Sequence, residues 1–341
     1  MESKTIVVPA KELCARSKAK LTDAHASEAS ADAAIRAMLH ASQHGIDSHG
    51  FRLTEVYCRM IASGQVNPCP NIKPVQTGPA SMLIDADNGL GHYPSYFAME
   101  RACEMAATAG VGAAGVFGSS HNGAAGAYAV AGADAGCFAL SMTNADSVVA
   151  LHGAAGAFHG TNPIAAAAPV PGSRPWFLDM ATSSIPLNRV FLYQVLGQDL
   201  PDGVAADEKG AVTANPNLAA MLLPLGGSEF GFKGAGLAGL VTILCAALTG
   251  ATLDPNMAKM SRNASSDRRN CGHFFLAMDV SRFIGREAFG EAMTSYLSAL
   301  RSTPAKEGET VMAPGDREWK TAKIRENGIP IDPETMAFLG L

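Results

Sequence analysis

Short apolar runs closed by glycine, proline or asparagine alternate with longer stretches of helix formers along most of this chain. That change of period predicts strands threaded between helices. The stretch TDAHASEASADAAIRAMLHASQHG, residues 22–45, carries helix formers throughout, with Thr22 or Asp23 placed to cap its start and Gly45 to end it. A second helix is expected over about residues 53–62, broken by SGQVNPCPNIKP. From about Ala80 the texture changes. SMLIDADNGLG reads as a strand and a turn, and YPSYFAMERACEMAATAG as a helix ending at Gly110. VGAAGVFG, CFALSMTN, PIAAAAPV, PWFLDMA and the later GHFFLAMDV read as strands. REAFGEAMTSYLSALRS returns to helical spacing, and APGDREWKTAKIRENGIP reads as a turn followed by a charged, exposed helix.

These elements assemble most simply as an α/β domain over about residues 77–284. The helical segments 1–76 and 285–341 would pack together as a second, discontinuous domain. The apolar stretch from Ala235 to Ala251 is uncharged and contains three glycines. It is expected to be a buried core helix, because a bilayer span needs about 20 apolar residues. Of the 341 residues, 48% are hydrophobic and 17% charged, a globular composition large enough for a real core. The net charge of −5 comes with no basic block, which argues against nucleic acid as a partner. The seven cysteines stand singly without a CxxC pair, which fits a reducing, cytoplasmic setting. The N-terminal stretch places charges where a signal peptide has its apolar run.

The glycine-rich GVFGSSHNGAAG (115–126) invites a nucleotide-loop reading, but it lacks the GxG of a dinucleotide fingerprint, and no GxxxxGK[ST] occurs anywhere. Its glycines allow tight packing, and a helix beginning near Gly123 offers backbone N–H groups to an anion. In DSHGFR, Ser48 and His49 stand beside Arg52. A histidine can move a proton near neutral pH, and an arginine can hold a carboxylate through two parallel bonds. The same residues also read as an ordinary polar helix end. Thr161 and Asn162 suit a carboxylate or simple turn chemistry. Asp179, Thr182 and Ser183 suit ribose hydroxyls or a helix cap, and Lys233 a phosphate or solvent. The nine histidines form no metal-ligand pattern; His40 and His44 share a helix face without the glutamate of HExxH, so no metal is expected.

IDSHGFRL, SSHNGAAGAYA, GTNPIAAAAP, LDMATS, GFKGAGL and APGDREW, in this order over about residues 45–320, resemble the type-2 malate/L-lactate dehydrogenase family. That family includes sulfolactate and ureidoglycolate dehydrogenases and the reductases of Δ1-piperideine-2-carboxylate and Δ1-pyrroline-2-carboxylate. The resemblance implies a non-Rossmann fold, a two-layer α/β domain plus the discontinuous helical domain, dimeric, with NADH or NADPH held between domains. It implies His49 as the proton donor with Ser48 beside it, and Arg52 on the substrate carboxylate. It places His121 and Thr161 in the substrate pocket. Asp179, Met180, Ala181, Phe232, Lys233, Pro314, Gly315, Asp316 and Arg317 match cofactor-contacting stretches. Two departures stand out. Arg52 lies three residues after His49, where the imine reductases have four. Ten residues after Asp179, where those reductases place a relay aspartate, this chain has Arg189. The implied reaction moves hydride between NAD(P)H and C2 of a small 2-oxo acid. The alternatives are reduction of a cyclic 2-imino acid and, from another class, a non-catalytic ligand-binding protein on this fold.

Overall fold

A computed structural model describes residues 6–260 and 266–341. Strand β1 (Ile6–Val8) leads into helices α1 (Ala10–Asp23) and α2 (Glu28–Gln43). Two 3-10 turns then precede α3 (Thr54–Ala62). The hairpin β2 (Lys73–Gly78) and β3 (Ser81–Asp85) is followed by α4 (His92–Ala109), β4 (Val111–Ser119), α5 (Gly126–Asp134) and β5 (Cys137–Thr143). Short strands β6 (Val149–Ala150) and β7 (Ala157–His159) come next, then β8 (Ile164–Ala168), β9 (Trp176–Met180) and α6 (Leu187–Leu196). After β10 (Ala205–Ala206) and β11 (Met221–Leu222) come α7 (Gly227–Thr242) and β12 (Cys271–Asp279). The C-terminal part holds α8 (Arg286–Arg301), α9 (Asp316–Ile324), β13 (Ile329–Ile331) and α10 (Pro333–Leu339).

The main sheet runs in the order β2-β3-β4-β12-β5-β8-β9. Only the β3–β4 pairing is parallel; every other neighbour is antiparallel. Strand β12 is central, and its side chains alternate between two cores, as a period of two requires. Phe275 packs with Met99, Ala102 and Tyr128 of α4 and α5. Phe274 packs on the opposite face with Met142, Val241 and Cys245. Both faces are therefore covered by helices, which corrects the two-layer expectation. The helix that adds the third layer is α7, continued through a π turn at Ile243–Ala247.

The same helix corrects the expectation of full burial. Ala238, Val241 and Cys245 are buried against the sheet, but Leu240, Ile243 and Leu248 are exposed. Apolar residues surround this helix, so its sequence carries no stripe to mark the packed side. By length and composition alone, Gly227–Ala247 passes for a membrane span. The helix expected over 22–45 is also interrupted. α1 ends at Asp23, His25 turns at φ 71°, and α2 starts after Ser27, whose hydroxyl accepts the Ser30 N–H at 3.3 Å. The cap is thus Ser27 rather than Thr22 or Asp23.

A separate core joins the chain ends. Leu13, Leu21, Met38, Phe51 and Tyr57 pack with Ile329, Ile331 and Leu339, and β1 pairs antiparallel with β13. Helix α9 instead sends Trp319 onto Phe177 and Ala129 beside β9. Phe275→Ala should lower the unfolding free energy by about 3–5 kcal/mol in urea titration, through lost burial and the cavity left behind. A loss under about 1 kcal/mol would contradict its place at the centre of the sheet core.

Candidate active site

The turn after α2 is built to present His49. Asp47 is held by Arg325 in a two-pronged ion pair at 2.5 and 3.0 Å, which ties the turn to the C-terminal segment. Gly50 packs so tightly that a Cβ there would sit 2.0 Å from the Ser42 hydroxyl. Ser48 Oγ lies 2.8 Å from His49 Nδ1. The loop between β4 and α5 brings His121 against it, the two rings stacked at 5.6 Å and 29°. From α3, the Tyr57 hydroxyl reaches His121 Nδ1 at 2.9 Å. The loop can approach because Gly91 has no side chain; a Cβ there would meet Ser120 O at 2.3 Å. Burial, followed by the nearby Arg52 charge, pushes His49 down to about 4. Burial and the neighbouring His49 hold His121 well below the usual histidine range. Both rings are therefore neutral at pH 7.

A second band of residues meets this pair. Asp179, on β9, accepts the Gly126 N–H at 2.8 Å, so the His121 loop is anchored to that strand. Burial raises Asp179 to about 6 against the opposing effect of this bond. Beyond β9, the Thr182 N–H and hydroxyl donate to Thr161 O at 2.9 and 3.1 Å, and Leu225 N–H donates to Thr182 O. Gly234 N–H in turn donates to Leu225 O, so the backbone beside Lys233 is linked through Leu225 to Thr182. Lys233 is exposed, with its Nζ over the rings of Phe230 and Phe232 at 5.4 and 6.0 Å. Gly315, at φ 93°, lies so close to β9 that a Cβ would meet Phe177 at 3.0 Å. Pro314 and Arg317 are exposed beside it. A cleft of about 230 Å³ opens there, lined by Arg174, Trp176, Arg301, Pro314, Asp316 and Trp319.

The malate/L-lactate dehydrogenase family matches residues 8–340. The chain belongs to that family. A malate dehydrogenase of Pyrococcus abyssi is 36% identical over 302 residues, 86% of this chain and 82% of that protein. The ureidoglycolate dehydrogenase (NAD(+)) of Escherichia coli K12 is 30% identical over 94% of this chain and 91% of its own. The solved Δ1-piperideine-2-carboxylate reductase of Pseudomonas syringae superposes with TM-score 0.88 at 27% identity, covering 98% of this chain and 99% of that one. This member of the malate/L-lactate dehydrogenase family is a dehydrogenase/reductase.

One sequence expectation does not converge on the stacked pair. Arg52 is exposed and makes no ion pair with a described residue, acting on His49 only through its charge. Arg189, which stands where the imine reductases place a relay aspartate, is an exposed residue of α6. No carboxylate among the described residues hydrogen-bonds His49; Asp47 is occupied by Arg325, and Ser48 is the partner of Nδ1. Asp316 is likewise engaged, by Arg301 and by the Ala313 N–H, so its carboxylate shapes the turn.

Three residues of the site went unseen in the sequence. Tyr57 reads as core because an aromatic at helical spacing usually is. His92 is buried beside Tyr57 with neither ring nitrogen hydrogen-bonded. Asp254 looks like a turn residue before proline. It is a fully buried carboxylate accepting from Asn144, Asn162, Thr242, His159 and the Gly160 N–H. These bonds hold Asn162 at φ 36° and so fix Thr161 next to it. Burial alone would raise Asp254, but the bonds from His159, Asn162, Asn144 and Thr242 outweigh it and its pKa is lowered. Its stabilisation is therefore complete above the unfolded carboxyl value of roughly 4 and disappears as pH falls through the lower folded value. Asp254→Ala strands several buried donors at about 1–3 kcal/mol each. It should cost at least about 3 kcal/mol at pH 7 in urea unfolding; an unchanged midpoint would contradict this role.

Proposed function

We propose that this enzyme interconverts a small 2-hydroxy acid and its 2-oxo acid, with His49 exchanging the proton at the C2 oxygen. The observation that carries this reading is the stacking of His49 on His121 at 5.6 Å, on a loop that the Gly126 N–H ties to Asp179. NADH or NADPH, when bound, supplies the hydride chemistry at C2. The residues fit such a cofactor in two ways. Lys233 is a cation without a carboxylate partner among the described residues, suited to a diphosphate. The cleft beside Pro314 offers Arg174 and Trp176, whose indole N–H is buried without a partner. Asp179, Met180, Ala181, Phe232, Lys233, Pro314, Gly315 and Arg317 would hold it, with Asp316 keeping the turn in shape.

Ser48 orients His49 through Nδ1, leaving Nε2 to face the substrate. In oxidation, neutral His49 takes the hydroxyl proton as general base; in reduction its protonated form returns it. Arg52, exposed and without an ion pair among the described residues, would hold the substrate carboxylate, with Thr161 fixing the same group. His121 binds the C2 oxygen. The cyclic 2-imino acid alternative draws support from the Pseudomonas reductase likeness. Family membership leaves the non-catalytic alternative without support.

The finer architecture is our reading too. The single parallel pairing of the seven-stranded sheet supports a non-Rossmann fold. The core shared by Leu13, Ile329 and Leu339 supports a helical domain built from both chain ends, residues 1–76 with 285–341, against an α/β domain of 77–284. Exposed Phe191, Leu192 and Val195 on α6 with Leu240 and Ile243 support a homodimer. The unpaired cysteines support a cytoplasmic setting.

His49→Ala should lower kcat by about 10²–10⁴ while NADH affinity, read by fluorescence, stays within about twofold. A variant with near wild-type kcat on pyruvate, oxaloacetate and Δ1-piperideine-2-carboxylate would sink the assignment; the panel also separates keto from imine reduction. With His49 near 4, kcat/KM for hydroxy-acid oxidation should keep its His49-dependent plateau down to about pH 5 and fall below it as the base is protonated. An acid limb centred near 6.5 would contradict that depressed value.

A further inference from the structure

Tyr57 is completely buried in α3, yet carries a polar hydroxyl into the site. Its ring stands edge-on to His92 at 4.8 Å and tilted over His121 at 6.0 Å. The hydroxyl meets one hydrogen-bond partner among the described residues, His121 Nδ1 at 2.9 Å. The buried nitrogens of His92 make no hydrogen bond, so neither takes the phenolic proton. Two arrangements of the Tyr57–His121 bond then exist. If His121 Nδ1 carried the proton and donated to Tyr57, the phenolic O–H would be a buried donor with no acceptor, at a cost of about 1–3 kcal/mol. If Tyr57 donates to Nδ1, both groups are satisfied. The imidazole proton then sits on Nε2, which makes no hydrogen bond with any described residue.

We propose that Tyr57 is a positioning residue that locks His121 as the Nε2–H tautomer, making it a neutral hydrogen-bond donor to the substrate's C2 oxygen. This rests on the 2-oxo acid reading for its kinetic consequence, and on geometry alone for the tautomer. It divides the labour of the stacked pair. His121 donates without changing charge, and His49 exchanges the proton. Two imidazolium rings at 5.6 Å would repel one another, so a fixed neutral His121 leaves the gain and loss of charge to His49. The donor is preorganised, because Tyr57 is held by its burial and by the His92 edge.

The test is nitrogen NMR on protein labelled with ¹⁵N-histidine, comparing wild type with Tyr57→Phe, and using His121→Gln to assign the His121 signals. Wild type should show His121 with unprotonated Nδ1 and protonated Nε2. Tyr57→Phe keeps the ring and should keep Tm, but should show a mixture of tautomers. A protonated Nδ1 in wild type, or an unchanged spectrum in Tyr57→Phe, overturns the proposal. In kinetics, Tyr57→Phe should lower kcat/KM for the 2-oxo acid at least tenfold, mainly through kcat, with NADH affinity unchanged. Full activity in a variant with mixed tautomers overturns the positioning role. A wild-type protein inactive on every 2-oxo and 2-hydroxy acid sinks the functional reading instead, and the spectrum alone then decides the tautomer.

Discussion

The bond from Gly126 N–H to Asp179 couples the two halves of the site. On one side lies the loop that carries His121 to His49; on the other lies strand β9, from which Thr161, Ala181 and the start of α7 are reached through backbone bonds. The loop is also held at Gly91, whose N–H donates to His121 O, and at Tyr57, which holds the ring. Three attachments from three elements leave the His121 side chain little freedom. Such rigidity is what proton exchange between fixed groups requires.

That coupling is maintained against stability. Burial lifts Asp179 to about 6, above the unfolded carboxyl value of roughly 4. A carboxyl raised in this way favours the folded state most when protonated, so stability attributable to it declines as pH rises from about 4 through 6. Asp254 does the reverse, because five donors surround it. One buried carboxylate therefore secures the Thr161 turn at neutral pH, while the other carries a cost where loop and strand meet. Buried, unbonded nitrogens on His40, His44 and His92 are further polar groups that a core optimised only for stability would not keep.

Much of this was legible in the sequence where local rules are strong. Strands β4, β5, β8, β9 and β12 follow apolar runs closed by glycine, proline or asparagine, and α4 stops at Gly110 because a left-handed residue is needed there. The break between α1 and α2 was hidden among good helix formers, and the outward face of α7 was hidden because apolar residues surround it. In the candidate site, His49, His121, Thr161 and Asp179 stood out as polar residues in glycine-rich or turn contexts. Their partners did not. Apart from the adjacent Ser48, Arg325 on Asp47 and the five donors on Asp254 depend on residues distant in sequence, and no spacing encodes them. The count that landed on Arg189 put a relay aspartate in doubt, and Arg189 is an exposed residue of α6.

The account's central claim is that chemistry occurs between His49 and His121. A crystal structure with oxamate, a 2-oxo acid analogue, tests it most directly. The account predicts the oxamate carbonyl oxygen within hydrogen-bond distance of both His49 Nε2 and His121 Nε2, with its carboxylate near Thr161 and Arg52. Oxamate bound with its carbonyl away from both histidines would contradict it.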